Sequence, residues 1–275
     1  VAEAASAVDS ITRDGVIDIA RAAGAAIMSV YAGAFDVARK ADASPVTAAD
    51  LAAHRVIVDG LARLTPDIPV LSEESTDAVA AGERRGWRRM WLVDPLDGTR
   101  EFVKRNGEFS VNIALIEDGV AVFGVIQAPV DGALWHGAPG HGAWRRSGET
   151  DRPIRARRVP GAGPMRVAAS RSHRDPRTAA FVARLGDIEP VALGSSLKFC
   201  RLAEGTLDVY PRFGPTSEWD TAAGQAILEG AGGILVDAGG RAFRYNQRGT
   251  LLNGAFIALG DPALPWRTWL EPASA

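Results

Sequence analysis

Apolar residues recur at helical spacing early in the chain. Val16, Ile19, Ala20, Ala23, Ile27, Val30 and Tyr31 fall on one face, which predicts an amphipathic helix. A second helix is predicted after Ser44-Pro45-Val46-Thr47. Thr47 is a good N-cap, Asp50 three residues on completes a capping box, and Val56, Ile57, Leu61 and Leu64 supply the apolar side. Thr65-Pro66-Asp67 stops it. The period then shortens. Pro69-Val70-Leu71 is an extended run ending at Ser72-Glu73-Glu74, and Met90-Trp91-Leu92-Val93 reads as a buried strand that breaks at Asp94-Pro95-Leu96-Asp97-Gly98. Two strands are predicted at residues 110–116 and 120–129, joined by Glu117-Asp118-Gly119, with an edge strand through Leu134-Trp135-His136. After the Arg- and Gly-rich stretch 145–163, strands (166–169, 191–193, 207–210, 234–236) alternate with helices (176–185, 196–204, 221–231). That alternation predicts a mixed α/β fold. The stretch itself reads as a boundary between two packed domains, residues 1–155 and 156–275.

Composition supports a large core: 47% of the 275 residues are apolar. Only 23% are charged, the formal net charge is −2 and the pI is near 6.1. That balance lacks the concentrated basic surface of a protein that coats nucleic acid. Cys200 is the only cysteine, which excludes an intrachain disulfide and agrees with a reducing cytoplasm. It reads as a small buried helix residue. No run approaches ~20 apolar residues, so no spanning helix is predicted. The first 35 residues do not read as a secretory leader.

The chemistry is concentrated in acids beside strand ends. In Asp94-Pro95-Leu96-Asp97-Gly98-Thr99, a strand terminus would hold two carboxylates at fixed separation, and Gly98 would let the backbone approach an anion closely. The amides of Gly98 and Thr99 could then point at a phosphate. An Asp-Pro/Asp-Gly surface turn is the ordinary alternative. Glu73-Glu74 in a loop can be merely solvated, Asp220 can simply cap the helix after it, and Asp50 already has a partner in the capping box. Together these acids make a hard-cation site, since magnesium prefers oxygen ligands and is held by few carboxylates plus substrate phosphate. No His/Cys cluster has zinc spacing, and no Gly-x-x-x-x-Gly-Lys loop is present.

The motif Asp94–Thr99 resembles a signature of the inositol monophosphatase superfamily. Glu73-Glu74-Ser75 upstream, Trp219-Asp220-Thr221-Ala222-Ala223-Gly224 and Ser44-Pro45-Val46-Thr47-Ala48-Ala49-Asp50 match its other motifs. Order and spacing fit over nearly the whole chain. The resemblance implies a layered α-β-α-β-α sugar-phosphatase fold with the site between two domains. It also implies two magnesium ions, with a third arriving with substrate. Glu73, Asp94 and the Leu96 carbonyl would hold one, and Asp94, Asp97 and Asp220 the other. Asp50 would polarise Thr99, which with Glu73 orients the attacking water. Gly98 and Thr99 amides would bind phosphate oxygens.

The likeness sharpens toward the bacterial 3′(2′),5′-bisphosphate nucleotidases of the CysQ type. It is carried by residues 94–116, Ser170-Arg171-Ser172-His173, Gly194-Ser195-Ser196-Leu197-Lys198-Phe199-Cys200 and the segment from Tyr210 to Thr216. This branch implies adenosine 3′,5′-bisphosphate (PAP) cleaved to AMP and phosphate in sulfate assimilation, its sulfated precursor (PAPS) as a second substrate, and sensitivity to lithium. His173, Ser195, Lys198, Arg212 and Asp220 would surround the nucleotide. Lys198 stands out independently, because Lys40 and Lys104 are the only other lysines. Two other readings stay open here: an inositol or other sugar monophosphatase, and a non-catalytic phosphate-binding regulator. The branch also implies a cytoplasmic protein. Some family members sit at the inner face of the membrane, so peripheral contact stays open although no anchor is visible.

Overall fold

The computed structural model describes residues 8–34, 36–39, 45–158, 163–170 and 175–270. Helix α1 (Ser10–Tyr31) starts where the Asp9 side chain accepts a hydrogen bond from the Thr12 amide at 2.8 Å. A short antiparallel pair, β1 (Val37–Arg39) and β2 (Pro45–Thr47), leads into α2 (Ala48–Leu64), whose Thr47/Asp50 capping box is formed as expected.

Seven strands follow: β3 (Val70–Ser72), β4 (Arg89–Asp97), β5 (Ser110–Glu117), β6 (Val120–Gln127), β7 (Leu134–Ala138), β8 (Gly142–Ser147) and β9 (Thr150–Ile154). They form one sheet in chain order, with β3 parallel to β4 and every other neighbour antiparallel. A 3-10 segment, Glu73–Ala78, and the short α3 (Ala81–Arg84) join β3 to β4; α4 (Thr99–Val103) follows β4.

The second sheet contains β10 (Met165–Ser170), β11 (Ile188–Leu193), β12 (Val209–Arg212), β13 (Ile234–Asp237) and β14 (Phe256–Leu259), in the order β11-β10-β12-β14-β13. Its helices are α5 (Pro176–Val182), α6 (Leu197–Ala203), α7 (Ala222–Gly230) and α8 (Trp266–Trp269).

Alternation along the strands sorts the side chains into layers. Trp91, Val93, Val111, Ile113 and Leu115 face α1 and α2. Met90, Leu92, Ala114 and Ile116 face the other way, onto Phe199 of α6, Ala223 and Ile227 of α7, and Tyr210, Leu235 and Phe256 of the second sheet. The outer face of that sheet (Val167, Val209, Val236, Ile257) packs on Phe181 of α5 and Trp266 of α8. The result is the α-β-α-β-α sandwich. The middle helical layer shares one apolar cluster with both sheets, so the sheets are not independent cores.

The structure corrects three expectations. β7 is internal, paired to β6 and β8, and not an edge. The first part of the Arg-rich stretch is strand: β8 and β9 place Arg146 opposite Asp151, with an ion pair at 2.6 Å that neutralises the charge hiding the strand pattern. β14, between β12 and β13, was not foreseen. The first sheet ends at Ile154 and the second begins at Met165.

Helix α7 lies very close to β6. A Cβ at Gly124 would sit 2.8 Å from Ala223 Cα and nearer still to its carbonyl oxygen. Backbone cannot retreat as a side-chain tip can. Gly124→Ala is therefore expected to destabilise by roughly 1–3 kcal/mol, read as a lower denaturant midpoint with unchanged slope.

Candidate active site

Strand β4 does not break at Asp94, as the sequence suggested; it runs on to Asp97 across an irregularity. Asp94 pairs with Asn112 and Asp97 with Ser110, so β4 spends one residue more than β5 between those pairs. Pro95, with no N–H to give the ladder, sits inside this bulge. Residues three apart on a regular strand point to opposite faces; the extra residue cancels that flip. Asp94 and Asp97 thus converge, and with Asp220 they place one oxygen each within 4.8 Å of one another. Asp220 ends the 3-10 turn Glu218–Asp220 that precedes α7. It does not cap α7, the alternative role open to it in the sequence. Its Oδ2 accepts from the Ser217 amide at 2.8 Å instead.

The electrostatics are those of buried, crowded acids, which Lys198 and Arg212 only partly offset. Burial raises the pKa of Asp97, against the pull of the Ser196 hydroxyl and Lys198. Burial raises Asp220 well above the carboxylate range, and the charges of Asp97 and Glu73 push it further. An all-oxygen set, convergent and mutually repulsive, fits a hard divalent cation. Glu73, half-buried at the start of its 3-10 segment, is outside the closest cluster but near enough to act on Asp220. The field of Glu74 instead reaches Asp50 and His54.

Asp50 uses both oxygens. Oδ2 accepts from the Thr47 amide and hydroxyl, both at 2.7 Å, and Oδ1 from the Thr99 hydroxyl at 3.1 Å. The Leu96 carbonyl is 3.3 Å from that hydroxyl, so its single proton has two acceptors to choose from. Gly98, at φ +92°, turns the chain into α4 in the left-handed region that favours glycine. A Cβ there would approach the Glu108 carbonyl at 3.1 Å and Ser195 Cβ at 3.3 Å.

Across from the acids sit two cations. Lys198 is 4% exposed; its Nζ donates to the carbonyls of Ser195 (2.6 Å) and Leu193 (3.3 Å) and lies 5.1 Å from the Tyr210 ring centre. Arg212 donates from Nη2 to the Pro215 carbonyl at 3.0 Å, while its buried Nε has no hydrogen-bond partner among the described residues. Ser195, at φ +47°, holds the turn before α6. His173 lies outside the described residues.

The inositol monophosphatase family model matches residues 10–261. The chain belongs to the inositol monophosphatase family. It is 53% identical to the 3′(2′),5′-bisphosphate nucleotidase CysQ of Salmonella typhimurium, an alignment covering 88% of this chain and 96% of that one. The corresponding protein of Escherichia coli K12 is 51% identical, over 88% and 97%. Among solved structures, the CysQ of Bacteroides thetaiotaomicron, a bacterial family member, superposes with a TM-score of 0.78 at 42% identity, covering 90% and 96%. No helix among the described residues is long and apolar enough to cross a membrane.

Sequence reasoning gave no role to several family-site neighbours that the geometry brings forward. Ser196 donates its amide and hydroxyl to Asp97 Oδ2, both at 2.5 Å, and its hydroxyl also lies 2.8 Å from the Asp220 carbonyl. Asn112 donates to the same hydroxyl at 2.9 Å. Ser72, fully buried beside Glu73, lies 2.8 Å from His54 Nδ1. Glu218, beside the Trp219-Asp220 motif, is fully buried too. The available signals were faint: a Ser doublet before a helix, and a histidine one turn after Asp50.

Burial lowers the Lys198 pKa to about 8, Asp97 partly opposing it. A lysine that is harder to protonate when folded favours the unfolded state below that pH. Its contribution to stability therefore improves as pH rises from about 8 to 10.5, where the unfolded side chain also becomes neutral. Carbon-13 methyl labelling of the amines should show one of the three lysine signals titrating near pH 8, and Lys198→Met should delete that signal.

Proposed function

We propose that this chain is a magnesium-dependent 3′(2′),5′-bisphosphate nucleotidase, which hydrolyses adenosine 3′,5′-bisphosphate to AMP and phosphate. The observation that carries this is the buried Lys198–Arg212 pair facing the acid cluster, with the Arg212 Nε unsatisfied. A substrate with two phosphates supplies one group for the acids and their cation and another for the two side chains. The nucleotidase relatives, identical at more than half of the aligned positions, support the same substrate. A sugar monophosphate would bring no second phosphate to the cation pair. A mere phosphate binder would have no use for the Asp50–Thr99 contact.

In this reading Glu73, Asp94 and the Leu96 carbonyl would hold one magnesium, and Asp94, Asp97 and Asp220 would hold a second, with a third expected only alongside substrate. Magnesium supplies positive charge against the phosphoryl oxygens and makes water easier to deprotonate. Asp50, itself held by Thr47, accepts the Thr99 proton. That turns the Thr99 oxygen into an acceptor for the attacking water, which Glu73 orients from the other side. The Gly98 and Thr99 amides, at the first turn of α4 where no intrahelical acceptor exists, receive the phosphoryl oxygens. Lys198 and Arg212 bind the second phosphate, with Ser195 and His173 beside the nucleoside. The sulfated precursor, which keeps the same 3′-phosphate, fits the same contacts.

The test is phosphate release from adenosine 3′,5′-bisphosphate, AMP and inositol 1-phosphate, with magnesium and with chelator. The bisphosphate should be strongly preferred and chelator should abolish release; preference for inositol 1-phosphate would overturn the assignment. Asp94→Asn, which serves both ions, should lose about a thousandfold or more in turnover, roughly 4 kcal/mol.

Thr99→Val should cut kcat sharply while leaving metal affinity nearly unchanged, because it removes a proton acceptor and not a ligand. A normal kcat in that variant would take Thr99 out of the mechanism.

A further inference from the structure

Arg84, the last residue of α3, is 2% exposed, and its guanidinium reaches across to the far end of the chain. Nη1 donates to Asn246 Oδ1 at 2.8 Å; Nη2 donates to the carbonyls of Arg248 at 3.0 Å and Gly249 at 2.7 Å. Asn246 answers with Nδ2 on the Arg84 carbonyl at 2.5 Å. The planar fork of arginine serves three acceptors of one loop at fixed angles, which a lysine point donor could not do. Burial works against the Arg84 charge, and the Glu218 carboxylate only partly supports it, so an apolar side chain would pack there more cheaply. What the arginine adds is a defined geometry between two segments.

Each segment adjoins or contacts an element that carries one of the acids. On one side, α3 stands between the 3-10 segment that opens with Glu73 and the strand that carries Asp94 and Asp97. On the other, the Asn246 amide donates to Glu218 Oε2 at 2.7 Å and Arg248 Nη2 to Glu218 Oε1 at 3.2 Å. Glu218 is fully buried and opens the turn whose last residue is Asp220. Arg84 therefore connects to the Asp220 turn through two hydrogen bonds, by way of Asn246 and the Glu218 side chain.

We propose that Arg84 is a positioning residue for the divalent-cation site. Through Asn246 and Glu218 it clamps the segment bearing Glu73 to the turn bearing Asp220, so that acids from the two parts of the chain meet at one point. It touches neither substrate nor cation. The inference rests on the functional reading above only in that these acids hold a cation.

The experiment measures manganese binding directly, by the electron paramagnetic resonance signal of the free ion, in the full chain and in Arg84→Met, Asn246→Gly and the double variant. Glycine is chosen at 246 because that residue sits at φ +56°, which glycine adopts without strain. Each single change should weaken manganese binding fivefold or more. Each should also raise the magnesium needed for half activity by a similar factor, with KM for adenosine 3′,5′-bisphosphate within twofold at saturating magnesium. The double variant should be no weaker than the worse single one, since both cut the same connection. Unchanged manganese affinity in a folded single variant, or losses that multiply in the double, would overturn the clamp. A merely structural role would lower the melting temperature and leave affinity alone. If Arg84→Met does not fold, Asn246→Gly decides the question by the same readout. A wild-type protein that binds manganese but does not hydrolyse the nucleotide would count against the nucleotidase and leave the clamp to be judged on binding.

Discussion

The site depends on one repeated interaction, a main-chain amide donating to one oxygen of an aspartate. Asp94 receives the amide of Leu96, Asp97 that of Ser196, Asp220 that of Ser217, and Asp50 that of Thr47. In each case one carboxylate oxygen is committed to the backbone. For Asp50 the structure shows the other oxygen in use, on Thr99. Side chains tethered this way lose their rotamer freedom once, during folding, and not again when a ligand arrives. Sequence-local turns do most of the tethering, which is why short motifs carry so much of the site.

The tether also answers an energetic problem. Acids brought this close in a buried place repel one another, and left to themselves would swing apart or take up protons. A donated N–H offsets part of that cost, and the apolar layers behind hold the turns in place. Glycines matter here because they let the layers approach. Ala223, three residues past Asp220, rests directly on β6 at Gly124, so the turn is anchored against the same sheet that presents Asp94 and Asp97. The shared apolar cluster is thus a condition for the geometry of the acids.

Much of this was legible in the chain. The Thr47/Asp50 box, the α1 face and the β5–β6 hairpin follow from local rules that tertiary structure had no reason to override. The acid motifs could be grouped because their chemistry is alike. What stayed hidden depended on long-range pairing. β8 and β9 carry Arg145, Arg146 and Arg152, a composition that reads as loop until Arg146 finds Asp151 on the neighbouring strand. The bulge in β4 could not be seen because Pro95 signals a strand end, and only the pairing of Asp97 with Ser110 shows that the strand resumes. Glu218 and Ser196 were passed over because a buried glutamate and a bridging serine have no periodic signature. Their partners, Arg248 and Asn246 for the one and Asp97 for the other, come from other parts of the chain.

The two edges of the seven-stranded sheet have a further consequence. An open sheet invites another molecule to add a strand, and crowded solutions punish any protein that allows it. Here β3 offers only three residues on one side. On the other, β9 spells Thr-Asp-Arg-Pro-Ile, with exposed Arg152 and with Pro153 contributing no donor. Both ends of the ladder are closed to incoming strands, by brevity at one and by proline and charge at the other. Arg152, whose charge helped to obscure this strand in the sequence, is part of what guards that edge.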